Sequence, residues 1–335
     1  MNRQRLADLL KIFASKRILV IGDLILDEFV WGKVRRISPE APVPIVEVDR
    51  ETYYPGGAAN VARNLRQFGC DVNVMGILGT EVHGKLMKSL LEEEGIFIDS
   101  LVQDTNYPTI VKTRIIAKHQ QVVRVDRERK ISLSDKQQAS VLANFEELLP
   151  QLDAVIFEDY GKGLFTQHLT DAILNITSAR ESMVTVDPNP GNPLRWHSLT
   201  AAKPNRLEAF AAAGIPLTDP IEPAIEDHAL LEVGDALLQK WDCENLLVTL
   251  SEQGMMLFRR DELPYHTPTK AREVFDVSGA GDTSIALFTL ALSAGATPIE
   301  AAEIANHAGG IVVGKLGTAT LTPSELSESF GEDRV

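Results

Sequence analysis

Cysteine is nearly absent: the 335 residues hold two, Cys70 and Cys243, at no metal-ligand spacing. So few thiols argue against a disulfide scaffold and fit a reducing compartment, which leaves both as ordinary core residues. No apolar run approaches the roughly 18 to 20 residues that a membrane span needs, and the N-terminus lacks the basic, apolar, small-residue succession of a secretion signal. These absences point to the cytoplasm. The seven histidines form no pair at metal spacing, and no nucleophilic serine elbow occurs. Positive charge is also in deficit. With 33 Lys and Arg against 47 Asp and Glu, the formal net charge is −14, which disfavours nucleic-acid and anionic-membrane partners. An anionic substrate must therefore meet a local basic pocket.

Apolar material is ample, at 44% of the chain, and its arrangement alternates between two periods. Residues 1–16 carry Leu6, Leu9, Leu10 and Phe13 at helical spacing, and Arg17–Gly22 follows as a short apolar strand of the kind buried on both faces. Further strands are expected at 72–78, 153–158, 183–187, 200–203, 245–250 and 255–258. Helices are expected at 134–149, 166–180, 206–213, 224–241, 285–294 and 298–315. This alternation predicts one α/β domain over residues 1–335, with a mostly parallel central sheet covered by helices on both faces. Two stretches break the pattern. Residues 31–54 and 107–126 are rich in β-branched residues, the first with prolines at 39, 42 and 44. They are expected to form irregular β-structure pairing into a small projecting lid sheet, whose apolar face needs a partner subunit or substrate as cover.

Glu273–Ser284 reads as a β-branched strand, a Gly279-Ala280-Gly281 turn and then an apolar helix. Such a turn leaves backbone N–H groups facing an anion at a helix start. Asp282 there is either a helix cap or the base that takes a proton from an attacking hydroxyl. Polar residues also gather after the other strands: Asp23 and Asp27; Glu158, Asp159 and Lys162; Asp187 and Asn189; Asn205 and Glu208. Strand carboxyl ends on one sheet edge form the ligand crevice of open α/β folds. Asn205 and Glu208 suit either a hydrated Mg²⁺ or a capping box. Thr249, Ser251 and Gly254 belong to a turn that either holds a nucleotide or closes a hairpin. Gly56-Gly57 feeds a helix of small residues, and Asn60 near its start offers a donor and an acceptor to a polyol. Gly79 to Lys85 approaches phosphate-loop spacing but fails at Leu86.

Gly56-Gly-Ala-Ala-Asn60-Val-Ala together with Asp276-Val-Ser-Gly-Ala-Gly-Asp282-Thr resembles the two signatures of the ribokinase-like, or phosphofructokinase-B, family of sugar kinases. The likeness runs from about Arg17 to Pro323. Within the family it is nearest to the branch acting on heptose 7-phosphate, through Arg36-Ile-Ser-Pro-Glu-Ala-Pro-Val-Pro44, Asp159-Tyr-Gly-Lys-Gly163 and Ser251-Glu-Gln-Gly-Met255. Lys118-His119 and Asn189 depart from that branch. The resemblance implies a ribokinase-like fold and transfer of the γ-phosphate of ATP to the anomeric hydroxyl of D-glycero-D-manno-heptose 7-phosphate, on the route to ADP-heptose and lipopolysaccharide core. It implies ATP and Mg²⁺, leaves room for a monovalent cation such as K⁺, and implies a stand-alone kinase without an adenylyltransferase. Asp282 would be the base, Gly279, Ala280 and Gly281 the anion hole, and Asn205 with Glu208 the anchor for Mg²⁺ through water. Thr249, Ser251 and Gly254 would hold the nucleotide. Asp23, Asp27, Gly56, Gly57, Asn60 and Asp159 would face the sugar, and Arg124 and Lys162 its remote phosphate. A homodimer through the lid is expected.

Overall fold

The structure is a computed structural model that describes residues 1–118, 120–271 and 273–331. His119, one of the departures noted above, lies outside the described residues. In chain order the first half holds α1 (Arg3–Phe13), β1 (Arg17–Gly22), β2 (Leu24–Ile37), β3 (Pro44–Gly57), α2 (Ala58–Arg66), β4 (Asp71–Met75), β5 (Ile77–Gly79) and α3 (Val82–Glu93). Then come β6 (Val102–Asp104), β7 (Ile110–Ala117), β8 (Gln120–Arg127), α4 (Asp135–Leu148), β9 (Ala154–Glu158), α5 (Gln167–Ala179) and β10 (Val184–Asp187). The chain continues through β11 (Leu199–Ala202), α6 (Arg206–Ala213), α7 (His228–Lys240), β12 (Cys243–Thr249), β13 (Met255–Arg259) and β14 (Tyr265–Thr267). It closes with α8 (Ala280–Ser293), α9 (Pro298–Val312) and α10 (Pro323–Ser329).

The main sheet runs β14-β13-β12-β11-β10-β9-β1-β4. Every neighbour pair from β4 to β12 is parallel, and β13 and β14 add antiparallel pairs at one edge. The apolar runs of β1 and β9 explain their central place, because successive side chains point to opposite faces. Ile18, Val20, Ala154 and Ile156 enter one core, packed by α1, α2, α8 and α9. Leu19, Ile21, Val155 and Phe157 enter the other, packed by α4, α5, α6 and α7. The expected parallel α/β architecture is present.

The two β-rich stretches do pair. They form a sheet of order β3-β2-β7-β8, with β2 and β3 as a long antiparallel hairpin and β7 parallel to β2. The structure of residues 31–54 is more regular than expected, because Pro39 and Pro42 fall in the hairpin tip and Pro44 opens β3. The strand expected before the glycine turn is absent. Residues 273–279 pair with no strand, and Val274, Phe275 and Val277 are 63%, 63% and 69% exposed. Their β-branched pattern pairs with neither outer strand of the main sheet, β14 or β4. The N–H groups of Phe275 and Asp276 instead donate to the Val313 carbonyl after α9, at 2.8 and 3.2 Å. The helix then starts at Ala280, earlier than the expected Ile285. Among the described residues, no helix is long and apolar enough to cross a membrane.

Candidate active site

Glycine at 279 is required twice. Its φ is +80°, and a Cβ there would stand 2.7 Å from Asn60 Nδ2. That turn sets Gly279, Ala280 and Gly281 at the start of α8, against a cleft of about 510 Å³ at the carboxyl edge of the main sheet. The Ala280 N–H donates to the Val277 carbonyl at 3.3 Å, and the other N–H groups of this helix start favour an anion there. Asp282 follows, buried, with one donor on each oxygen: the Tyr160 hydroxyl donates to Oδ1 at 2.8 Å and the Asn60 amide to Oδ2 at 2.8 Å. Burial pushes its carboxyl up to about 6, against the two hydrogen bonds that favour the charged form. Beneath it, Asp187 at the end of β10 pairs with Lys203 at 2.7 Å. Burial holds Asp187 at about 6, and the Asp187 carboxylate keeps the Lys203 ammonium charged despite its own burial. Glu158, at the end of β9, is fully enclosed and pushed well above its ordinary range by burial and then by Asp187 and Asp282.

The nucleotide candidates line the same cleft. Asn205 and Glu208 form a capping box on α6: Glu208 N–H donates to Asn205 Oδ1 at 2.9 Å, and Asn205 N–H to Glu208 Oε2 at 2.8 Å. Capping thus occupies one oxygen of each, and both side chains still border the cleft. Among the described residues no three His, Cys, Asp or Glu are grouped to cage a metal ion. That donor set fits a Mg²⁺ that keeps its waters and is carried on phosphate oxygens. Thr249, Ser251 and Gly254 also line the cleft, where Gly254 has φ +89° and its missing Cβ would meet the Thr267 carbonyl at 2.2 Å. The turn is both hairpin and cleft wall.

On the lid side, Asp27 is paired with Arg114 and buried. Burial raises its carboxyl and Arg114 opposes the shift. A Cβ on Gly56 would lie 2.2 Å from Asp27 Oδ2, and Gly57 has φ +58° with the Asp23 carbonyl 2.6 Å from its absent Cβ. Two expected sugar carboxylates each have one oxygen bound to backbone N–H groups. Asp23 Oδ2 accepts from the N–H groups of Tyr160 at 3.1 Å and Lys162 at 3.0 Å, while its Oδ1 is buried without a partner. Asp159 accepts from Gly161 N–H at 2.7 Å and from the Asn192 amide at 3.0 Å, and burial pushes it up to about 7. Both therefore shape the turn that carries Tyr160. Lys162 pairs with Glu128 at 2.8 Å and Arg124 with Asp126 at 2.8 Å.

The sequence pattern of the pfkB family carbohydrate kinases matches residues 15–325. The chain belongs to the pfkB family of carbohydrate kinases. That places it among phosphotransferases with an alcohol group as acceptor. The chain is 39% identical to the bifunctional protein HldE of Geobacter sulfurreducens over 331 residues, covering 99% of this chain and 66% of that protein. It is 40% identical to the bifunctional protein HldE of Desulfatibacillum aliphaticivorans over 325 residues, covering 97% of this chain and 65% of that one. The pfkB chain thus spans about two thirds of the length of these curated relatives. The fold matches phosphofructokinase-2 from Escherichia coli in complex with substrates and products, with a TM-score of 0.78 at 17% identity over 94% of this chain and 98% of that one. It also matches Arabidopsis thaliana ribokinase complexed with ribose and ATP, with a TM-score of 0.69 at 20% identity over 94% and 98% of the two chains.

Several residues of this pfkB site escaped the sequence reading. Tyr160 and Lys203 were hidden because a phenol and a lysine beside strand ends carry no spacing of their own. Lys112 and Arg114 had a usable signal. They alternate on β7, in register with Asp27 and Phe29 of β2, so their side chains share the face that Asp27 presents.

Proposed function

We propose that the chain transfers the γ-phosphate of ATP to the anomeric hydroxyl of D-glycero-D-manno-heptose 7-phosphate, giving the 1,7-bisphosphate on the route to ADP-heptose and lipopolysaccharide core. The observation that carries the substrate reading is Lys112. Its neighbours in register, Asp27 and Asp126, are already bonded to Arg114 and Arg124. The Lys112 ammonium makes no ion pair among the described residues and lies 5.3 Å from the centroid of the Tyr160 ring. Burial lowers its pKa; Asp27 opposes that shift, while the charges of Lys162 and Arg124 add to it and Asp126 again opposes. A half-buried cation whose acidic neighbours are bonded to other arginines, with two further cations beside it, is a site that gains from a dianion, here the sugar's remote phosphate. The likeness to two proteins named HldE supports the same reading.

In the reaction, Asp282 takes the proton of the anomeric hydroxyl as that oxygen forms its bond to the γ-phosphorus. The bond from the γ-phosphorus to the β–γ bridging oxygen breaks, and ADP leaves with that electron pair. The N–H groups at the start of α8 stabilise the charge on the transferred group. Mg²⁺ would neutralise phosphate charge when bound, held through water by Asn205 and Glu208. The exposed valines of β8, Val123 at 46% and Val125 at 40%, lie on the lid face away from Arg124 and form the contact of a homodimer.

A coupled ADP-release assay with ATP and Mg²⁺ across heptose 7-phosphate, ribose, fructose and fructose 6-phosphate tests the assignment. Turnover highest on the heptose phosphate is expected. Preference for an unphosphorylated sugar would replace the substrate, and saturable ATP binding without ADP release on any sugar would make the chain a binding protein.

A further inference from the structure

The turn after β9 is held more firmly than a connector needs. Gly161 and Gly163 adopt φ of +68° and +114°, where L side chains are strained. Asp23 takes the N–H groups of Tyr160 and Lys162, and Asp159 takes that of Gly161. The construction points the Tyr160 hydroxyl at Asp282 Oδ1, 2.8 Å away. Asn60 holds the opposite oxygen from α2, and Asn64 in turn donates to the Asn60 carbonyl at 2.9 Å. A carboxylate gripped on both oxygens cannot rotate, yet each oxygen keeps a second lone pair.

We propose that Tyr160 is a positioning residue for phosphoryl transfer, its hydroxyl fixing one oxygen of Asp282 so that a remaining lone pair meets the acceptor hydroxyl. The inference rests on Asp282 being the base. Tyr160 also favours the ionised form, since its hydroxyl donates to the charged carboxylate. The other groups around Asp282 are Glu158 from β9, Asp187 from β10 and Lys203 beyond β11. Lys112 of β7 caps the Tyr160 ring. A phenylalanine at 160 keeps the ring for Lys112 and removes only the hydrogen bond.

The test reads Asp282 directly. In protein labelled with ¹³C at aspartate carboxyl carbons, the resonance missing in Asp282→Asn is followed through pH. In Tyr160→Phe its midpoint is expected to rise from near 6 by about one unit, because a bond favouring the charged form is lost. Placing 3-fluorotyrosine at 160, a stronger donor of nearly the same shape, is expected to move it down. With ATP, Mg²⁺ and the best sugar of the panel, Tyr160→Phe lowers kcat about 10-fold with KM for ATP unchanged, and the acid limb of kcat moves to higher pH. An unmoved midpoint in both variants, or a kcat loss with an unmoved acid limb, overturns the proposal. If the unaltered protein turns over no sugar, the functional reading fails, while the carboxyl titration still judges the Tyr160 contact.

Discussion

The floor of the cleft and its lid solve opposite problems. At the floor, Glu158, Asp187 and Lys203 sit at the ends of buried strands and Asp282 in the first turn of α8, and burial drives each carboxyl upward. On the lid, β8 is exposed from end to end, and its charges are matched along the surface by Arg124–Asp126 and Arg127–Glu28. Desolvation is costly and rigid, so it suits chemistry that must be the same for every substrate. Paired charges at a wet surface exchange partners at little cost, which suits choice between substrates. Lys112 stands at the boundary, half-buried and without an ion pair among the described residues, though Asp27 and Asp126 attract it.

The largest break in that contrast should come at the floor. Asp282→Asn is expected to lower kcat by about 10²- to 10⁴-fold while leaving thermal unfolding close to that of the parent, because the amide keeps the volume and loses the base. Near-parental turnover by a folded variant would remove Asp282 from the mechanism. An intermediate effect belongs to the boundary. Lys112→Met should raise KM for heptose 7-phosphate by roughly 10-fold and leave kcat nearly unchanged, since a charge-assisted contact made equally in ground and transition states is lost. Equal losses on phosphorylated and unphosphorylated sugars would place Lys112 outside the phosphate site. The smallest effect is expected on the lid's outer face. Val123→Lys with Val125→Lys should turn a dimer into a monomer by light scattering, with activity changed by only about 2-fold. A parent protein that is monomeric at micromolar concentration would remove the dimer.

Much of this could be read without coordinates, and the reasons are local. The apolar runs 17–22 and 153–158 announced central parallel strands, since only a sheet covered on both faces buries such runs. Gly279 to Asp282 was legible because a glycine turn opening an apolar helix has few other uses. The segment before it misled. Val274, Phe275 and Val277 carry strand character, but a strand exists only where it pairs, and here the N–H groups of Phe275 and Asp276 go to the Val313 carbonyl after α9. Asp23 and Asp159 show the limit of such reading: both lie at the expected sheet edge, and one oxygen of each also holds the Tyr160 turn, which no spacing in the chain encodes.

By itself the sequence determined the layered α/β fold, the lid and the glycine turn with its carboxylate, because each follows from periodicity and from glycine geometry within a few neighbouring residues. Only the tertiary structure decided which groups surround that carboxylate. Tyr160, Asn60, Asp187 and Lys203 come from separate elements, and their grip on Asp282, like the position of Lys112, arises from strand register and burial that bring distant residues within hydrogen-bond reach.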